Sequence, residues 1–277
     1  NGQLTLLTKY YESLDNTGSV ETSYHQHNGF GRYWTSAKFG LQNMSSKVRQ
    51  TVSKDFCYDI DMANAHPTFL LHYCTTNKLP CEGINEYVNN RDNGLHEYMH
   101  TFNCKRGIAK VAYLEVTNGK VRYDTDSLPP TFLKYYMNIR DILDRVMILE
   151  PELKATAVRN KTFYNKPIWN VEGSVINYVM TSLENKCLMV IYDYLQHKNI
   201  GVASLIFDGL MIYKNSIDHN DLPILLSGCQ DIVLVKTGIT LSMTEKVMDE
   251  GYDIDVTDYI PNIIDKPISH QAVDVLF

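Results

Sequence analysis

Two stretches decide how this chain reads: Phe56-Cys57-Tyr58-Asp59-Ile60-Asp61, and Ser204-Leu205-Ile206-Phe207-Asp208-Gly209-Leu210-Met211-Ile212-Tyr213. In the first, side chains alternate at period 2, so Tyr58 and Ile60 share one face of a strand and Asp59 and Asp61 the other. In the second, two apolar runs flank Asp208-Gly209, which marks a β-hairpin over Gly201–Tyr213 turning at that pair. An acid ending a strand and an acid at a hairpin tip are carboxylates with little freedom to stray. Phosphoryl-transfer chemistry that uses two divalent ions needs such a pair, converging on ions ~3.5–4 Å apart. Each acid alone has a plainer reading. Asp208 fits as a turn residue, and Asp59 and Asp61 fit as surface acids on a strand.

Outward from these stretches, helices alternate with short strands. Leu4–Leu14 reads as a short helix and Ser45–Ser53 as one helical turn or two, with loops and short strands across Asn16–Gly40. Ala65–Tyr73 reads as a helix that tolerates Pro67 in its first turn. Leu95–Thr117 is helix-rich, Thr131–Leu149 is a helix opened by Pro129 and Pro130, and Ser174–His197 is a long apolar-periodic helix. Leu222–Val233 reads as a helix, Ile239–Lys246 as a strand, and Ile260–Phe277 as a linker or tail broken by Pro261 and Pro267. The order is a mixed α+β plan, a small acid-bearing sheet with helices between its strands. Within the helix-rich stretch, Arg106, Lys110, Leu114 and Asn118-Gly119 recur at every fourth position. Arg106 and Lys110 then lie ~6 Å apart along the axis, a span that suits adjacent phosphates of a triphosphate. A solvated cationic face is the competing reading.

The 277 residues are 44% apolar and 21% charged, enough to bury one large domain or two joined subdomains. The net charge of −6 weighs mildly against nucleic acid as a partner, although cations gathered in a local groove serve as well as an overall excess. Six cysteines form no C-x-x-C pair and no zinc-type spacing with the nine scattered histidines, so they read as buried thiols in an intracellular, reducing compartment. No apolar stretch approaches the ~20 residues that span a bilayer, so no membrane role is expected. Starting at Asn1 without a signal-type segment, the chain reads as a piece of a longer protein.

The motifs resemble those of the family-A DNA polymerases. The family's T-G-R-L-S…L-Q-N-I-P block is similar to Gly31-Arg32, then Leu41-Gln42-Asn43-Met44 and Arg49, with the gap from Arg32 to Gln42 one residue longer. The first catalytic block, D-Y-S-Q-I-E, resembles Asp61-Met62-Ala63-Asn64-Ala65-His66. The fingers pattern R-x-x-x-K-x-x-x-F-x-x-x-Y-G resembles Arg106…Lys110…Leu114…Asn118-Gly119 at identical spacing. Glu172-Gly173-Ser174-Val175-Ile176-Asn177-Tyr178 is similar to Q-G-T-A-A-D-L, and Phe207-Asp208-Gly209 to the final H-D-E. The blocks follow the family's order from Gly31 to Lys246. Asn64-Ala65-His66-Pro67-Thr68 and Phe-Asp-Gly resemble its divergent transposon-and-virus branch, often fused to a primase–helicase.

The resemblance implies a right-hand polymerase with a small antiparallel palm sheet, a helical fingers subdomain and a reduced thumb. Residues 1–55 would be a thumb remnant and the approach to the palm, 56–80 and 170–255 the palm, 81–169 the fingers, and 256–277 a tail. Asp61 and Asp208 would hold two Mg2+ ions, or Mn2+ in their place. Arg106 and Lys110 would grip the dNTP triphosphate, and Leu114, His66, Asn118 and Glu172 would border the nucleotide. Arg32, Gln42, Asn43 and Gly119 would touch primed DNA template. His66 and Asn118 replace the Glu and Tyr that screen the sugar 2′ position, and Gly209 replaces a Glu. DNA synthesis, RNA or primer synthesis on the same scaffold, and a non-catalytic nucleic-acid-binding derivative therefore all stay open. His66 is equally read as a plain helix-start residue, and Tyr24, His25 and His27 as template contacts or as loop.

Overall fold

The computed structural model describes residues 2–16, 18–36, 39–119 and 123–253. In chain order the elements are α1 (Gly2–Glu12), β1 (Tyr24–Gln26), β2 (Tyr33–Thr35), α2 (Ser46–Ser53), β3 (Cys57–Ala63), α3 (Ala65–Thr76), α4 (Glu82–Asn89), α5 (Arg91–Phe102), α6 (Arg106–Thr117), α7 (Pro130–Leu149), α8 (Pro151–Phe163), α9 (Val171–His197), β4 (Val202–Ile206), β5 (Gly209–Tyr213), α10 (Leu222–Thr237) and β6 (Ser242–Lys246). The chain is thus a mixed α+β protein, as its pattern predicts. Contacts divide it into two units, Asn1–Ala63 with Asn185–Phe277, and Asn64–Glu184. One boundary falls at Asn64, whose left-handed backbone (φ 55) turns the chain from β3 into α3. Residues 64–80 group with the helical unit. The tail read at Ile260–Phe277 lies outside the described residues. No helix among them is long and apolar enough to cross a membrane.

The first unit is built on a four-stranded antiparallel sheet in the order β4-β5-β3-β6. β3 occupies an interior position because its apolar residues can be buried: Cys57, Tyr58, Ile60 and Met62 are all in the core. It runs two residues beyond Asp61, since Met62 and Ala63 pair with Met243 and Ser242 of β6. Asp61 therefore sits inside the strand rather than at its end, opposite Gly209 on one side and Thr244 on the other. Asp59 is 1% exposed, so it is not a surface acid. α10 lies against β6, and Gln230 Oε1 accepts a hydrogen bond from Met243 N at 2.7 Å.

The hairpin turns one position earlier than the Asp-Gly pattern places it. Ile206 pairs with Gly209, so the two-residue loop is Phe207-Asp208 and Gly209 already belongs to β5. The cause is space. A Cβ on Gly209 would run into Asp61 Oδ1 and the Ile60 carbonyl, so glycine is needed in the strand to let β5 approach β3. Positive φ then falls to Phe207 (φ 52) at the first loop position. For a bulky side chain that conformation costs of order 1–3 kcal/mol, and surrounding packing must enforce it.

The second unit, Asn64–Glu184, is a helical assembly around an aromatic core. Tyr87 and Tyr113 stack at 3.9 Å with an interplanar angle of 11°. Tyr135 and Phe132 meet Tyr113 edge-on at 5.0 and 4.8 Å. α6 contributes Ala109, Ala112, Tyr113, Val116 and Thr117 to this core, which leaves the Arg106–Lys110–Leu114 stripe on its other side. Two helices here have little sequence signal. α8 buries only Ala157, and α4 is eight residues long and buries Gly83, Ile84 and Tyr87. α8 lacks the apolar stripe by which a helix is recognised, and the stripe of α4 spans only about two turns.

Candidate active site

The first unit gathers three acids where β3 meets the β4–β5 loop. Asp59 and Asp61 project from the same face of β3. Asp208 follows Phe207 in the loop, and its carbonyl accepts a hydrogen bond from Met62 N at 2.9 Å, which fixes it beside Asp61. Burial pushes the Asp61 carboxyl from 3.8 up to about 6, and the negative charges of Asp208 and Asp59 add to the rise. Lys246 opposes it, with its Nζ 3.6 Å from Asp61 Oδ2. Asp59 is also raised by burial, against the pull of Arg49 and Lys246, and its Oδ1 is buried with no hydrogen-bond partner. A buried orphan acceptor beside mutually repelling carboxylates is an arrangement a hard divalent cation would relieve. No cluster of three or more His, Cys, Asp or Glu side chains among the described residues is arranged to hold a metal. Two carboxylates suffice for Mg2+, which commonly completes its octahedron with water and substrate phosphates. The donors present therefore fit that ion.

What holds the Phe207-Asp208 loop in its strained form is a stack of side chains. Trp34 meets the Phe207 ring edge-on at 5.6 Å, and the Arg32 guanidinium carbon lies 5.3 Å from the same ring centre. His27 continues the row at 6.1 Å from Trp34, and His25 at 4.9 Å from His27. Gln42 is 4% exposed and its amide is used internally, accepting from Thr35 N and donating to the carbonyls of Tyr33 and Leu205. It ties the β1–β2 ribbon to β4. Asn43 is exposed and accepts a hydrogen bond from Thr35 Oγ1. Tyr24 is buried, with its hydroxyl bonded to Ser204 Oγ and Leu205 N, each at 3.0 Å, so it anchors the ribbon.

The second unit carries the cations. Arg106 pairs with Asp92, and that guanidinium holds the exposed Asp92 carboxyl below the ordinary carboxylate range. Lys110 has its ammonium pushed down by partial burial and by the nearby positive charges of Arg91 and Arg106. Arg91, Arg106 and Lys110 thus lie near enough to repel one another, with Asp92 as the opposing charge. Leu114 is 46% exposed one turn further along. Asn118 closes α6: its Nδ2 donates to the Leu114 carbonyl, and its Oδ1 accepts from Asn177 Nδ2 at 3.1 Å. Gly119 is buried with φ 83, and a Cβ there would meet Asn170 and Gly173, so its glycine identity follows from close approach of the backbones. Glu172 lies half-buried in the first turn of α9. His66 Nε2 is 3.4 Å from Oε2 of the fully buried Glu184.

Several of these groups escape the sequence reading. Asp59 and Lys246 become partners only through the β3–β6 register. Arg91 and Asp92 sit in the polar run Asn89-Asn90-Arg91-Asp92-Asn93-Gly94, which looks like a loop and not like part of a cation cluster. The tertiary pairing of α5 with α6 brings them to Arg106. Trp34 could have been suspected, as one of two tryptophans and close to Arg32.

No family model matches the sequence. A curated relative from the Sputnik virophage, described as putative helicase V13, is 28% identical over 261 residues, covering 89% of this chain and 32% of that protein. The chain thus spans about a third of the length of the curated relative it matches. Among solved structures, the POL domain of Pol1 from M. smegmatis, in complex with DNA primer-template and dNTP, superposes with a TM-score of 0.60 at 11% identity, over 88% of this chain and 50% of that one. The fold is similar to that of a polymerase domain.

Proposed function

We propose that this chain is the core of a template-directed DNA polymerase of the family-A type, in the transposon-and-virus branch, working within a longer replication protein. The observation that carries this reading is the crowding of Asp61 and Asp208 where β3 meets the β4–β5 loop, with Asp61 pushed up to about 6, on a fold similar to a polymerase domain. The unit built on the acid-bearing sheet acts as the palm and the helical unit as the fingers. The reaction joins a primer 3′ oxygen to the α-phosphate of a dNTP, with pyrophosphate leaving. Divalent ions on Asp61 and Asp208 would supply charge neutralisation at the attacking and leaving oxygens. Arg106 and Lys110 neutralise the triphosphate. Lys110, whose proton is loosened by burial and by Arg91 and Arg106, donates to the leaving pyrophosphate. Arg91 adds a third cation to the same task. Gln42 acts by holding the ribbon that carries Arg32 and Trp34, and so supports Asp208 through Phe207.

The partner of the M. smegmatis domain, primed DNA with a dNTP, is the substrate set proposed here. The relative's description as a helicase fits a longer chain in which synthesis and unwinding are joined. Six free cysteines fit an intracellular reducing compartment. The test is extension of a primed DNA template with Mg2+, with deoxy- and ribonucleotides in parallel and with Asp61→Ala and Asp208→Ala as controls. Extension by deoxynucleotides that both substitutions abolish supports the reading. Extension by ribonucleotides alone would move it to RNA or primer synthesis. Metal-dependent nucleotide binding without extension would move it to a binding module.

A further inference from the structure

From Leu153 to Val171 the chain carries Lys154, Arg159, Lys161 and Lys166 and no acid, although the whole protein has a net charge of −6. The same stretch, the body and end of α8 and the turn that leads to α9, exposes four large apolar side chains: Phe163 at 77%, Tyr164 at 63%, Ile168 at 63% and Trp169 at 70%. Together these form a patch in which rings and ammonium groups alternate. Phe163 and Tyr164 stand edge-to-face at 5.0 Å. Lys166 Nζ is 5.7 Å from the centre of the Tyr164 ring, and Lys161 Nζ is 5.9 Å from that of Trp169. Lys161 also donates to the Trp169 carbonyl at 2.9 Å, which draws the turn back onto the end of α8.

The patch is held in shape at both ends. Asn165 and Asn170 take left-handed conformations (φ 49 and 52), and Lys166 N donates to the Lys161 carbonyl at 2.8 Å. Asn170 Nδ2 donates to the Asn118 carbonyl at 3.2 Å, while its Oδ1 accepts from Gly173 N at 3.1 Å. The strap is thereby tied to the C-terminal end of α6, the helix that carries Arg106 and Lys110.

Exposed rings of this size cost free energy in water unless something covers them. A stretch with four cations and no acid of its own selects a polyanion. Rings standing clear of the surface select a polyanion whose flat faces are free to stack. We propose that this strap binds single-stranded DNA, with bases stacking on Trp169, Tyr164 and Phe163 and phosphates meeting Lys154, Arg159, Lys161 and Lys166. Duplex DNA offers the phosphates but hides the base faces. On the polymerase reading the strand is unpaired template, because the strap is tied at Asn118. That role rests on the reading, whereas single-strand binding does not.

The test is fluorescence anisotropy with a labelled single strand of about 15 nucleotides, and with the matching duplex, in EDTA and without nucleotides. The wild-type chain is expected to prefer the single strand. Trp169→Ala and Tyr164→Ala should each weaken that binding roughly tenfold, in line with the loss of one stacked base. Changing Lys161 and Lys166 together to Gln should reduce the slope of log K against log salt by roughly 1.4, at about 0.7 per cation. Tyr164, Lys166 and Trp169 are exposed and Lys161 is half-buried, so thermal melting should change little and confirms that the variants are folded. Equal affinity for single strand and duplex, ring variants that bind like wild type, or binding to anionic vesicles in preference to the single strand would each overturn the proposal. Intact strap binding in a chain that fails primer extension would refute the polymerase reading and leave the strap standing.

Discussion

Replacing Asp61 with Asn should make the metal-free protein more stable near neutral pH while abolishing its activity. Asp61 is the acid whose ionisation the fold resists: burial, then the charges of Asp208 and Asp59, raise it from 3.8 to about 6. At 1.36 kcal/mol per pH unit, keeping it ionised in the folded state near pH 7 costs about 3 kcal/mol. Loss of the half-exposed Lys246 contact returns no more than about 1 kcal/mol of that, which leaves a net gain of about 2 kcal/mol. For a chain of this size that is a rise in melting temperature of about 4–8 °C. The sign with pH follows from the raised folded value. The stability tied to the protonated acid is complete below 3.8 and is lost as pH rises through about 6. The variant's advantage should therefore be full above that value and shrink toward zero at more acid pH. Differential scanning calorimetry in EDTA at several pH values reads this directly, and adding Mg2+ should raise the wild-type melting temperature more than the variant's. A variant less stable than wild type in EDTA near neutrality, or an advantage that does not change with pH, would refute the account of the acids as a crowded cluster.

Other substitutions probe its supports. Gly209→Ala forces a methyl against Asp61 Oδ1 and the Ile60 carbonyl, and should cost about 1–3 kcal/mol in denaturant melts while displacing Asp61 and depressing turnover. Tyr113→Phe removes a hydroxyl that is buried without a partner in the aromatic core, and should stabilise the chain by about 1 kcal/mol in the same assay. Asp92→Asn releases Arg106 from its ion pair, and should lower KM for the nucleotide severalfold in steady-state kinetics, while Arg106→Ala raises it.

The α+β plan and the central acids were legible because both rest on local pattern. β3 alternates at period 2, and the two apolar runs around Asp208 make a hairpin unmistakable. The position of its turn was not legible. Asp-Gly is the stronger turn signal by itself, but the glycine is spent on the approach of β5 to β3, a tertiary contact that reassigns the loop to Phe207-Asp208. The same limit applies to the burial of Asp59, which the neighbouring strands decide, and to Arg91, whose meaning depends on α5 packing beside α6. The motif points Gln42 at nucleic acid, while its amide is occupied by Thr35, Tyr33 and Leu205. Helices with few buried residues, such as α8, leave almost no period to read.

The central claim is template direction by the Asp61–Asp208 site, and single-nucleotide incorporation tests it most directly. Four primed DNA templates that differ only in the next templating base are each offered the four dNTPs singly, with wild-type protein and with Asp208→Ala. The account predicts one added nucleotide, complementary to the templating base in each case, and no addition by the variant. Addition that ignores the templating base, or matched addition that survives Asp208→Ala, would contradict it.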